Sequence, residues 1–199
     1  RNKLNMAIAR MQSRTFIDGF IQKNNIAQVI YSDQWDSEKG VWKDEEDIPS
    51  KWDVYRKFKK MFNISVNKET EIVTLFVEWK DPDLAAFWAN SMVSEINRVT
   101  RSIDIIDAEK SIDYLKKEAQ KTNVVGLEST LNGLIEKELN TLTLANTREE
   151  YIFKVIDPAF SPDLKSRPKR SLIIIFGFIL GIVFGIFISI YKEVSLNRS

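Results

Sequence analysis

The chain has 199 residues, with 29 Lys plus Arg against 28 Asp plus Glu, and it contains neither cysteine nor histidine. Balanced charge gives no electrostatic footprint for nucleic acid or acidic ligands, and the missing residue types remove disulfides, thiolate nucleophiles, Ser/His/Asp triads and the usual zinc ligand sets. The 170 residues ahead of the apolar run that begins at Ser171 suffice for one domain with a genuine core.

Residues 4–23 place Met6, Ile8, Met11, Phe16, Phe20 and Ile21 at near-helical spacing among polar neighbours, which predicts a pair of short helices or one bent helix. Tyr31 to Pro49 mixes aromatics with acids and reads as an irregular surface connection, its run Asp44, Glu45, Glu46, Asp47 a solvated loop without calcium-loop spacing. A short helix is expected around Trp52 to Met61. Two strand-like runs follow, Phe62 to Val66 and Glu71 to Trp79, separated by the polar turn Asn67 to Thr70, and together they predict a hairpin. In the second run Val73, Leu75, Val77 and Trp79 share one face, while Ile72, Thr74, Phe76 and Glu78 share the other.

Asp81-Pro82 supplies an N-cap acceptor and a proline at the first helical position, so a long helix is expected over about 82–122. Ala85, Ala89, Met92, Ile96, Val99, Ile103 and Ile106 recur at gaps of four and three, and after a phase slip Ala108, Ile112, Leu115 and Ala119 continue the rhythm. Such a helix is roughly 60 Å long, so part of it must protrude or pack on other chains. Asn123 to Gly126 breaks it, and a return helix over about 127–146 carries Leu127, Leu131, Leu134, Ile135, Leu139 and Leu142. The seam Met92, Ile96, Val99, Ile103 and Ile106 serves either packing within this hairpin or packing between subunits. Glu150 to Ile156 then reads as a strand that returns to the hairpin's sheet and closes an α/β base.

Residues 157–170 form a proline-punctuated basic linker, stiffened by Pro158, Pro162 and Pro168. Its Lys165, Arg167, Lys169 and Arg170 are suited to lipid phosphates. Ser171 to Tyr191 carries no charge over 21 residues. As a helix it would reach roughly 30 Å, the thickness of a bilayer's hydrocarbon core, and it is apolar all round its circumference. We expect a transmembrane helix over 171–191, with Gly177, Gly181 and Gly185 on one face as a small-residue packing surface. The charge bias around this span alone would put the large domain in the cytoplasm. The chain opens at Arg1 with no early apolar segment, so a first span upstream is expected, and that span would override the bias.

Three stretches in this order resemble the Wzz-type chain-length determinants, the class 1 polysaccharide co-polymerases: ARMQSRTFIDGFIQKNNI, then IVTLFVEWKDPDLAAFWANSMVSEIN, then EYIFKVIDPAFSPDLKSRPKRSLIIIFGFILGIVFGI. The resemblance covers essentially the whole chain, and the last motif is its most specific part. Pro158, Pro162 and Pro168 match the family's proline positions and Gly177, Gly181 and Gly185 its glycine-rich span; a further proline often seen between the last two prolines is Lys165 or a neighbour here. The resemblance implies two spans in the bacterial inner membrane and a large periplasmic domain whose α/β base lies near the membrane. It also implies ring-like or bell-shaped homo-oligomers that set the modal length of O-antigen or a related surface polysaccharide, with the polysaccharide polymerase and the lipid-linked glycan as partners. No phosphate-binding GxxxxGK[ST] motif or tyrosine-rich tail accompanies it, which disfavours the tyrosine-kinase branch.

The sequence reading is therefore an α+β protein. Its parts are a membrane-proximal base over 1–156 with a protruding helical hairpin, a linker over 157–170, a span over 171–191 and a cytoplasmic tail over 192–199. It is expected to be a non-enzymatic scaffold without cofactor or metal, a homo-oligomer that does not bind nucleic acid. The competing reading is a single-span adaptor that recruits a partner protein through the helical hairpin. A membrane-anchored hydrolase is disfavoured, because no carboxylate pair has a suggestive spacing or apolar setting.

Overall fold

The computed structural model describes residues 2–121, 125–162 and 174–185. They fall into two compact units, Arg1–Ser161 and Pro162–Ser199. The first contains α1 (Asn2–Met11), α2 (Arg14–Lys23), α3 (Ile26–Ile30), β1 (Trp35–Asp36), β2 (Val41–Trp42), α4 (Lys51–Lys59), β3 (Phe62–Val66), β4 (Val73–Val77), α5 (Pro82–Lys121) and α6 (Val125–Thr147). The architecture is mixed helix and sheet, with two separate two-stranded antiparallel sheets and one long helix.

Local signals start α2, α4 and α5. Ser13 caps α2 by accepting from the Phe16 N–H, and Ser50 caps α4 by accepting from the Asp53 N–H. Asp81 Oδ1 accepts from the amides of Asp83 and Leu84 at 2.9 and 3.1 Å, so α5 opens at Pro82 with its free N–H groups satisfied. Between β3 and β4, Asn67 Oδ1 accepts from the amides of Glu69 and Thr70 and shapes the turn. Register pairs Phe62 with Val77, Ile64 with Leu75 and Val66 with Val73.

One core joins α1 to α5. Phe20, Phe58, Trp88, Met92 and Ile96 are almost wholly buried, with Ala7, Met11, Ile17 and Ile26 around them. Aromatic rings link its parts: Phe58 lies 5.8 Å from Phe20 and 5.9 Å from Trp88, the latter in an edge-on arrangement. The inward row of the hairpin, Ile64, Leu75, Val77 and Trp79, packs against this cluster, as period-2 alternation requires. Ile72 and Phe76 on the other face stay exposed.

Several expectations are corrected. The strand expected over 71–79 is limited to Val73–Val77. Tyr31 to Pro49 is not wholly irregular: Trp35 and Trp42 pair across a small hairpin, their rings 5.0 Å apart, and Gly40 supplies the positive φ its turn needs. Gly126, read as part of the helix break, lies inside α6. The main correction concerns Glu150 to Ile156. It forms no strand and does not join the β3–β4 sheet; the backbone of Ile152 and Phe153 is paired instead by the side chain of Asn97 on α5. The first unit accordingly runs through Ser161 and includes Pro158, which the sequence reading placed in the linker.

Two substitutions separate the buried from the exposed side of α5. Met92→Ala is expected to lower stability by about 2–5 kcal/mol in urea unfolding. Ile106→Ala, at a side chain 46% exposed, is expected to cost about 0.5 kcal/mol or less.

Candidate assembly and anchoring surfaces

The expected seam on α5 divides between two partners. Met92 and Ile96 are both 0% exposed and lie in the core formed with the base, and Val99 packs against that core. Ile103 is half-buried, and Ile106 faces out. From Ile106 to Ala108 the helix turns about 200°, so the apolar positions beyond the slip lie on nearly the opposite side. There Ala108 and Ile112 are buried, and α6, which carries the buried Ala145, packs along this part of α5. The helix thus gives one face to the base and the other to α6.

On the α6 side of the lower half of α5 runs a polar stripe at heptad spacing: Asn90, Asn97 and Asp104. Each receives part of the chain that follows α6. Asn97 is buried, and its Oδ1 accepts from the amides of Ile152 and Phe153 at 3.0 and 2.9 Å while its Nδ2 donates to the Phe153 carbonyl at 2.8 Å. Asn90 repeats the arrangement at Ala159, accepting from its N–H at 2.9 Å and donating to its C=O at 2.8 Å. Asp104 accepts from the Tyr151 hydroxyl at 2.7 Å and pairs with Lys3 at 2.8 Å. Burial and this carboxylate push the Tyr151 hydroxyl up to about 12. Between these positions Arg101 donates to the carbonyls of Arg148 and Glu149, placing a cation at the C-terminal end of α6 where free carbonyls and the helix dipole favour it. The sequence reading missed all four residues: Asn90, Asn97 and Asp104 recur at seven-residue spacing, but other polar residues of α5, such as Glu95, Arg98 and Thr100, conceal the stripe.

Across the other side, Glu95 accepts from Lys23 on α2 at 2.5 Å and from Arg98 at 2.5 and 3.1 Å. The hydrogen bond from Arg98, supported by Lys23, outweighs partial burial and lowers its carboxyl to about 2. This triad borders a groove of about 580 Å³ between α2 and α5, with Phe16, Gly19 and Phe20 along it and Arg10, Lys23 and Arg98 around it. Among the described residues no acidic cluster is arranged to hold a metal ion.

Among the described residues, large apolar side chains remain exposed along α6 and at the end of the clasped segment, as well as at scattered positions elsewhere. Along α6 these are Leu127, Leu134, Leu139 and Leu144. At the far end of the clasped segment they are Ile156 and Phe160, with Phe87 on the adjoining turn of α5. In the second unit residues 174–185 are helical, with Gly177, Gly181 and Gly185 at every fourth position and nothing within 4 Å of where a Cβ would stand. Among the described residues no helix is long and apolar enough to cross a membrane; the rest of the expected span, at 171–173 and 186–191, lies outside them. Pro158 and Pro162 are described, whereas Pro168, Lys169 and Arg170, with Lys165 and Arg167, also lie outside the described residues.

Asn97→Ala strips partners from the peptide groups of Ile152 and Phe153, so it is expected to lower stability by about 2–3 kcal/mol and to speed amide exchange at both residues. Glu95 has a depressed carboxyl, so its contribution is full above the ordinary value of 4.5 and fades as pH falls towards about 2. Glu95→Gln should therefore be less stable than the unaltered protein at neutral pH, with the gap closing in acid; urea midpoints across that range measure it.

The chain matches no protein-family model and none of the curated proteins.

Proposed function

We propose that this protein regulates the modal chain length of O-antigen or a related surface polysaccharide, acting as an oligomeric inner-membrane scaffold for the polymerase, the growing lipid-linked glycan, or both. The three motifs that resemble the Wzz-type determinants support this reading, as does the uncharged run at 171–191 as its anchor. The observation that carries it is the α5–α6 arm. A 40-residue helix is doubled over its outer part by a 23-residue helix whose Leu127, Leu134, Leu139 and Leu144 remain exposed. Leucines exposed on several sides of the outer helix of a two-helix arm suit contact with other chains better than solvent.

In this reading the large domain lies in the periplasm, the arm supplies surface between subunits, and Gly177, Gly181 and Gly185 form the face through which neighbouring spans pack. Control of length needs no catalytic group in such a protein, because the polymerase performs the chemistry and the scaffold sets how long polymerase and glycan stay together.

Deletion of the protein is expected to replace a modal band of surface polysaccharide on a gel with an unregulated distribution. An unchanged distribution contradicts the proposal. Leu134→Lys lies on the exposed arm and is expected to change stability by about 0.5 kcal/mol or less while failing to restore the modal band in the deletion strain.

A further inference from the structure

Ile156 and Phe160 are 79% and 73% exposed, and Phe87 is 55% exposed. Large apolar groups presented so fully are costly in water unless something covers them. They are not held out by a loose end. Asn90 pairs with both the N–H and the C=O of Ala159, which fixes the extended chain at that residue. Alternation along the chain then leaves Ala159 and Ser161 half-buried, and Pro158 and Phe160 outside. Phe87, one turn before Asn90 on α5, belongs to the same end of the unit.

We infer that this end of the first unit is a bilayer-docking surface, in which Ile156, Phe160 and Phe87 enter the interfacial layer of the membrane. The inference rests on the reading of 171–191 as a span. Chain length argues for the membrane over any other occupant. Only the nine residues 162–170 separate Ser161 from Ser171, and fully extended they reach about 30 Å. The linker therefore limits how far the exposed side chains can stand from the surface through which the span would enter. Charge agrees with this choice: Lys165, Arg167, Lys169 and Arg170 follow in the sequence and favour an anionic lipid surface. Asp157, beside Ile156, holds the contact at headgroup depth, because a carboxylate does not enter hydrocarbon without a partner. Interfacial burial of this kind needs only about 5–10 Å of penetration.

The chain contains no cysteine, so single-cysteine variants label cleanly. Ile156→Cys, Phe160→Cys, Leu180→Cys and Phe76→Cys are each coupled to an environment-sensitive fluorophore in the full-length protein. Each is reconstituted in phosphatidylglycerol-containing vesicles with spin-labelled lipids, the label set at headgroup or mid-chain depth. The probes at 156 and 160 are expected to be quenched by the shallow label several-fold more than the probe at 76, on the outer face of β4 where Phe76 is 57% exposed. The probe at 180 is expected to be quenched by the deep label. Quenching at 180 without quenching at 156 and 160 overturns the docking surface and leaves the span standing. Blue-shifted emission at 156 and 160 that no lipid quencher affects assigns the patch to a protein neighbour and overturns it equally. An unquenched probe at 180 removes the span, and the docking surface with it.

Discussion

The side-chain amides of Asn97 and Asn90 hold the final segment of the first unit against α5 through hydrogen bonds that a sheet edge would otherwise make. A carboxamide carries a donor and an acceptor side by side, as a peptide group does, so one asparagine pairs with both backbone groups of an extended residue. Without Asn97 the amides of Ile152 and Phe153 and the Phe153 carbonyl would be left unpaired in a partly buried setting. With it, Ile152 and Phe153 pack against the main core while their backbone stays satisfied. The two asparagines are seven residues apart, two helical turns, so they lie one above the other and set the direction of the segment as well as its position.

That clasp is possible because α5 has two working faces. Its lower half turns Trp88, Met92 and Ile96 into the base and leaves the opposite side to the polar stripe. Its upper half turns Ala108 and Ile112 towards α6. The partner on this second side is α6 above Arg101 and the clasped chain below it, with Arg101 holding the junction at the end of α6. A helix of this length covered on only part of its circumference would be marginal on propensity alone; tertiary packing on both sides sustains it.

Features with local causes were legible in the sequence. Asp81-Pro82 marks the start of α5, the alternation through Val73, Leu75 and Val77 marks the inward face of β4, and Asn67 marks the turn before it. The phase slip after Ile106 was also visible, but its meaning depends on where α6 and the base lie, which spacing on one helix does not contain. The strand reading of Glu150 to Ile156 failed for a related reason. Tyr151, Ile152 and Phe153 have strand-like composition, and the backbone of Ile152 and Phe153 does find a hydrogen-bond partner, yet that partner is the single side chain of Asn97, 55 and 56 residues away. The Trp35–Trp42 hairpin was missed because strands of two residues are too short to show a period. Of the candidate site residues, Met92 and Ile96 are consumed by the chain's own core, while Leu127, Leu134, Leu139 and Leu144 of α6 remain exposed.

A scaffold that sets polymer length needs several copies at one place, and the surfaces left open along α6, together with the glycine face of the apolar segment, suit lateral contact between copies. The most direct test is the mass of the particle formed by the full-length protein in mild detergent, measured by light scattering with the bound detergent subtracted. The expected result is a single species of several chains. A strict monomer at concentrations matching those in the membrane would contradict the scaffold account.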